Sequence, residues 1–359
     1  MAQDLLGQGC YWWVTYANFL ALRKDSKRRG ATLPSTPAHK SVGVRVHSVK
    51  SSVVTEHKRD LNSAGRWLSP LAVSSAIVVY GLMIFGSQVR VTDSGMGCPD
   101  WPLCSGQIGP IHEFHALMEQ THRYIAALAT VLVIATALLA RQIRTRPAAV
   151  RPAFFTVGVV AIQVLLGAVT VIDGNGAPTV AAHLLAGLAL LGGATITAVC
   201  TLVPRIESTG PRLGTGGWVA ISAAGLLYLS GSLVVNAEAE KACARFPFCP
   251  TGQPTRFVVL HLVHRSIALL AGIALLAFAL HAGRRWQMYR GARALATTLA
   301  GLVIATAALG IYSALLKAPP DLQDLHLAGA GAVLVASAAL ATLGWLVGAD
   351  CSSKPAEPI

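Results

Sequence analysis

Residues 119–140 read EQTHRYIAALATVLVIATALLA, and residues 261–282 read HLVHRSIALLAGIALLAFALHA. Each opens on a polar turn ending in His-Arg and then runs on without a single Asp, Glu, Lys or Arg. A helix needs ~20 apolar residues to cross the roughly 30 Å hydrocarbon layer of a bilayer. Both stretches meet that length. Laid on one another, they superimpose His122 on His264 and Arg123 on Arg265, and set Glu119 opposite His261.

The rest of the chain has the same character. Its hydrophobic fraction is 53%, its charged fraction only 13%, and its mean hydropathy is +0.56. A soluble domain carries about 25% charged residues, so a large soluble protein is excluded. Eight spans are predicted, at 67–86, 116–140, 153–172, 179–203, 217–236, 257–282, 293–315 and 322–348.

The formal net charge of +13 is mostly an orientation signal. Arg141, Arg144, Arg146 and Arg151 follow the second span, Arg205 and Arg212 the fourth, and Arg284, Arg285 and Arg290 the sixth. Loops on the other side mix signs, as in Arg90, Asp93, Asp100 and Glu113, or Glu238, Glu240, Lys241 and Arg245. By the positive-inside rule both termini are cytoplasmic, in a multi-pass protein of the cell membrane. Nucleic acid is not an expected partner. Residues 1–66 hold eleven Lys/Arg against four Asp/Glu and read as a disordered cytoplasmic tail. An interfacial helix over 11–22, lying on anionic membrane lipid, is the alternative.

An internal repeat sets the domain plan. Gly86-Ser87 stands twelve residues before Cys98, and Gly231-Ser232 twelve before Cys243. His183 follows His122 by 61 residues and His326 follows His264 by 62; Gly167 and Gly310 each precede the later histidine by 16. A single match means little, but the ordered series points to duplication. The expected fold is all-α, eight transmembrane helices arranged as two pseudo-symmetric four-helix bundles. The halves are 67–203 and 217–348, joined by a linker at 204–216 and followed by a tail at 349–359.

Polar groups at membrane depth are costly and usually face a bundle interior. Neutral imidazole is a good iron ligand, and two from opposing helices fill both axial positions of a haem. His122 with His183, and His264 with His326, therefore predict one haem in each half, near the outer leaflet. Zinc would favour a compact cluster with thiolate or carboxylate, and the cysteines lie in outer loops.

The halves differ three residues before each His-Arg. Residues three apart share a helix face, so Glu119 is expected to look toward the same porphyrin as His122, where a carboxylate positions water or takes protons. The alternative is that Glu119 pairs with Arg123 or caps the helix. Arg123 and Arg265 suit haem propionates through bidentate contacts, or else loop carboxylates and backbone. Cys98 with Cys104, and Cys243 with Cys249, form two Cys-x5-Cys pairs on the side where disulfides persist. Each would staple a short loop, worth roughly 2 kcal/mol in chain entropy, or act as a redox pair.

The segment from Gly86 to Gly106, GSQVRVTDSGMGCPDWPLCSG, resembles the first outer loop of the haem A synthase family. The resemblance continues through Glu119-x-x-His122-Arg123, Gly167 to His183, Cys243 to Cys249, His261-x-x-His264-Arg265 and Gly310 to His326. It covers 67–348 and leaves the N-terminal residues outside. It implies an enzyme that oxidises the C8 methyl of haem O to the formyl group of haem A, for terminal oxidase assembly. It further implies that His122 and His183 flank haem O with Glu119 close by, that His264 and His326 ligate haem b, and that the cysteine pairs are disulfides. Haem O synthase as substrate donor, an electron-transfer partner and the oxidase assembly machinery are the implied partners. Read from the residues alone, a dihaem b-type cytochrome exchanging electrons with quinol competes with the enzyme, and a transporter without haem is a third reading.

Overall fold

Eight of the eight predicted apolar runs are helices long and apolar enough to cross a membrane. The computed structural model describes residues 47–109, 112–143, 146–203, 214–237, 239–286 and 290–347, with 47–64, Arg290 and Val347 as backbone alone. In chain order the helices are α1 (His47–Val91), α2 (Phe114–Gln142), α3 (Val150–Ile172), α4 (Ala177–Leu202), α5 (Thr215–Asn236), α6 (Thr255–Arg285), α7 (Arg290–Leu315) and α8 (Pro320–Val347). A short 3-10 turn, Pro147–Ala149, precedes α3. The expected tail lies outside the described residues up to position 46, and α1 already runs through the rest of it. Most of the linker and the C-terminal tail also lie outside them.

Helix ends follow local chemistry. Glu113 caps α2, its carboxylate accepting from His115 N–H at 3.0 Å and Ala116 N–H at 2.6 Å. Gly86 and Ser87, read from sequence as opening the outer loop, instead lie inside α1, which continues to Val91. The helix stops where Thr92 Oγ1 donates back to the Gln88 carbonyl at 2.7 Å and Asp93 takes a φ of 52°. The α3–α4 turn passes through Gly174 and Asn175 at φ 61° and 58°, and the α7–α8 turn through Lys317 and Ala318 at 62° and 53°. The repeat thus preserves a left-handed turn although its residues have changed.

In the second half α5, α6, α7 and α8 close a ring, each packed on the next and α8 on α5. In the first, α2 packs on α3 and α3 on α4. Ser75 and Thr136 hydroxyls join α1 to α2 at 3.0 Å, and Ser69 Oγ donates to the Thr201 carbonyl of α4 at 2.9 Å. The halves meet along α4 and α8, whose apolar windows are 61% and 72% buried against 22–33% for the other six. One continuous core runs through both, from Val79 and Ala129 to Leu275 and Leu340. Close helix approach needs small residues where packing replaces the hydrophobic drive. Gly331 of α8 is such a place: a Cβ there would meet Met83 and Tyr80 of α1. Outward residues such as Ile77, Val131, Leu165, Leu270 and Ile304 are large, apolar and exposed, as lipid-facing positions are.

Candidate haem sites

The four repeat glycines and the four repeat histidines turn out to be partners. A Cβ on Gly86 would lie 3.0 Å from His122 Cε1, on Gly231 3.1 Å from His264, on Gly167 3.4 Å from His183, and on Gly310 2.6 Å from His326. Each imidazole is therefore seated on the bare backbone of the preceding helix. A side chain at Gly86, Gly231 or Gly310 would push the ring away, whereas one at Gly167 would only touch it.

In the second half both rings are also fixed at Nδ1. His326 Nδ1 lies 3.0 Å from the Thr306 carbonyl, which only accepts, so Nδ1 carries the proton and Nε2 the lone pair. His264 Nδ1 lies 2.9 Å from Ser230 Oγ, and that hydroxyl donates to the Leu227 carbonyl at 3.0 Å. Its own proton is thus committed, and it accepts from His264 Nδ1–H. Metal-ligating histidines almost always donate their other ring N–H in this way. The two rings stand 6.4 Å apart, centroid to centroid, at 83°. With each nitrogen about 2 Å from a metal, rings on opposite sides of one ion are separated by about 6 Å. These residues fit a bis-histidine haem iron.

The first half is built differently. Where the second has Ser230 it has Phe85, whose ring stacks on His122 at 6.4 Å and 11° and offers no acceptor. His122 Nδ1 and His183 Nδ1 are buried without a hydrogen bond. His183 Nε2, the nitrogen free in its counterpart, accepts from Gln163 Nε2 at 3.0 Å.

Each His-Arg is tied to its disulfide loop. The structure joins Cys98 to Cys104 and Cys243 to Cys249, with Cα–Cα distances of 4.7 and 4.5 Å. Glu119, 5% exposed, accepts from Cys98 N–H at 2.8 Å and from the Arg123 guanidinium. Arg123 also donates to the carbonyls of Asp100, at 2.7 Å, and Leu103. In the second half His261 Nε2–H donates to the Ala239 carbonyl at 2.7 Å, while Arg265 donates to Pro247 and Cys243 carbonyls at 2.6 and 3.0 Å. Glu119 and His261 thus do one task with opposite chemistry, accepting from or donating to the backbone that leads into the loop. Both arginines reach loop backbone carbonyls, and Arg123 also meets the Glu119 carboxylate. On the loop itself, N–H groups of Gly106 and Ser105 hold the Asp100 carboxyl below the usual carboxylate range, and those of Ala116 and His115 do the same for Glu113.

A family model described as "Cytochrome oxidase assembly protein" matches residues 69–338, a span that reaches into all eight helices and contains all four seated histidines. The Heme A synthase of Shouchella clausii is 30% identical over 263 residues, covering 68% of this chain and 85% of that protein. The chain belongs to the haem A synthase family. Similar coverage comes from the Heme A synthase of Bacillus licheniformis, 29% identical over 61% of this chain and 77% of that one. That of Shewanella oneidensis is 25% identical over 75% and 93% respectively.

Within this haem A synthase fold, several residues at the sites escaped the sequence reading. Phe85 and Ser230 each precede a seat glycine by one; Gln163 and Thr306 each precede one by four. Aligning the halves beyond the histidines would have exposed both contrasts. Asp324 is a third. Two residues before His326, it accepts from Ser87 Oγ and Gln88 Nε2 of α1 and so bonds the two halves together.

Proposed function

We propose that this protein is a haem A synthase, converting the C8 methyl of haem O to a formyl group in its first half. Two oxidations carry the methyl through a hydroxymethyl to a geminal diol, which loses water to leave the aldehyde. The product serves terminal oxidase assembly; haem O synthase supplies the substrate. Both termini lie in the cytoplasm and the disulfide loops outside it, by the distribution of basic residues.

The single observation that carries the reading, beside family membership, is the inequality of the histidine pairs. His264 and His326 are anchored at Nδ1 and suit a resident haem b, which supplies electron transfer between the reacting site and an outside redox partner. His122 and His183 have no such anchors and suit a porphyrin that enters and leaves. A substrate site needs a hold that product can escape. Residues 67–203 are accordingly the substrate half and 217–348 the resident-haem half.

At the substrate site Glu119 is the candidate proton acceptor. It stands one turn before His122, and its carboxylate is already oriented by Cys98 N–H and Arg123. Arg123 and Arg265 hold the loops that cover the sites, and in doing so keep water from the porphyrin edge. Expression beside a haem O source, followed by extraction and chromatography of the pigments, tests the proposal. Haem A is expected. Haem O and haem b without haem A, in cells whose source is active, would leave a dihaem cytochrome instead.

A further inference from the structure

In the first half the hydrogen bond that matters lies on the wrong side of the ring for permanent ligation. A seated histidine binds iron through the nitrogen that carries a lone pair, and a partner on the other nitrogen strengthens that hold. His326 meets this description through Thr306. At the position equivalent to Thr306, four residues before the seat glycine, α3 carries Gln163, and its side chain reaches past the backbone to His183 Nε2. The donor occupies the lone pair that an iron would need. His183 Nδ1 and Gln163 Oε1 are left buried and unpartnered. Leaving buried polar atoms unpaired is costly, so the pair is not arranged for rest alone.

We propose that Gln163 makes His183 a displaceable ligand: its amide takes back the coordinating nitrogen each time a porphyrin leaves the first-half site. The inference rests on the first half being the substrate site. When iron takes Nε2, Gln163 must let go; when product departs, the amide re-forms its bond and lowers the cost of losing the metal. Gln163 is thus a positioning residue that acts through His183, and it sets the residence time of the porphyrin. The second half has no counterpart, since Thr306 offers its carbonyl to the opposite nitrogen.

The test follows haem loss from the purified full-length protein, produced beside a haem O source and mixed with excess apomyoglobin as scavenger. Wild type is expected to lose pigment in two phases, the faster one from the first half. Gln163→Leu removes the competing donor and is expected to slow the fast phase about 10-fold, the lower end of what an outer partner contributes to metal affinity. General loosening of the fold would instead speed it. Gln163→Met provides a second variant of similar length, and an unaltered second-half haem spectrum shows that the bundle is intact. A fast phase that is unchanged or quicker in both variants, or a single phase in wild type, overturns the inference. Pigment analysis of the same samples separates the two claims. Wild type without haem A defeats the enzyme reading; haem A with unchanged fast phases defeats only the role of Gln163.

Discussion

The Nδ1 of His264 stands 2.9 Å from Ser230 Oγ, a hydroxyl whose own proton already goes to the Leu227 carbonyl. Ser230 therefore fixes which ring nitrogen is free. Ser230→Ala is expected to weaken haem retention in the second half by about 10- to 100-fold, the usual effect of losing such a partner. Haem titration of the purified variant reads this directly. Retention equal to wild type would show that the seat glycine alone positions the ring.

The seats give a graded series. A Cβ on Gly310 would stand 2.6 Å from His326 Cε1, whereas one on Gly167 would stand 3.4 Å from His183. Gly310→Ala is expected to displace His326 and abolish the bis-histidine spectrum of the second half. Gly167→Ala should be tolerated with little loss of haem A formation. Equal effects of the two substitutions would contradict the close approach at Gly310.

Glu119 has two jobs to separate. Glu119→Gln keeps an acceptor for Cys98 N–H but removes the charge that meets Arg123. If the carboxylate handles protons, Glu119→Gln and Glu119→Ala should both raise the ratio of haem O to haem A while second-half haem content stays normal. If holding the loop is its whole contribution, Gln restores activity and Ala does not. Chromatography of the extracted pigments distinguishes these outcomes.

The outer loop has a built-in acid limit. Asp100 and Glu113 have carboxyls held below the usual range by backbone N–H donors. A carboxyl depressed in the folded state stabilises it above the unfolded value, and that contribution disappears as pH falls through the folded one. Protection of the Ser105, Gly106, His115 and Ala116 amides should hold from about pH 7 to 5 and fail only below about 4. Hydrogen exchange, corrected for its intrinsic pH dependence, measures it. Loss of protection near pH 6 would show that other groups hold the loop.

The seam between the halves depends on Asp324. Asp324→Leu would leave the Ser87 hydroxyl and the Gln88 amide unpaired at membrane depth, at about 1–3 kcal/mol each. A lower melting temperature in detergent is expected, with Asp324→Asn intermediate because it keeps one acceptor. An unchanged melting temperature in Asp324→Leu would mean that the α1–α8 packing at Tyr80 and Gly331 suffices.

Much of this architecture was legible because membrane crossing leaves a long, simple signal. Seven of the eight predicted spans differ from their helices by about three residues or fewer at either end, whereas α1 starts at His47, well before the apolar run, and continues past it through Gln88 and Arg90, where Gln88 has a partner in Asp324. The duplication was legible from His122, His183, His264, His326 and their glycines, since spacing survives divergence. The contrast between the two pairs was not. It depends on Phe85 against Ser230 and Gln163 against Thr306, ordinary residues whose meaning comes only from the ring nitrogen they face. Glu119 and His261 were visible as a difference, but not as two ways of tethering a disulfide loop.

The assignment of the halves is tested most directly by extracting pigments from His183→Ala and His326→Ala, each expressed beside a haem O source. His326→Ala is expected to lose haem b, whereas His183→Ala should keep haem b and accumulate unconverted haem O. Haem b lost from His183→Ala and kept by His326→Ala would contradict the account.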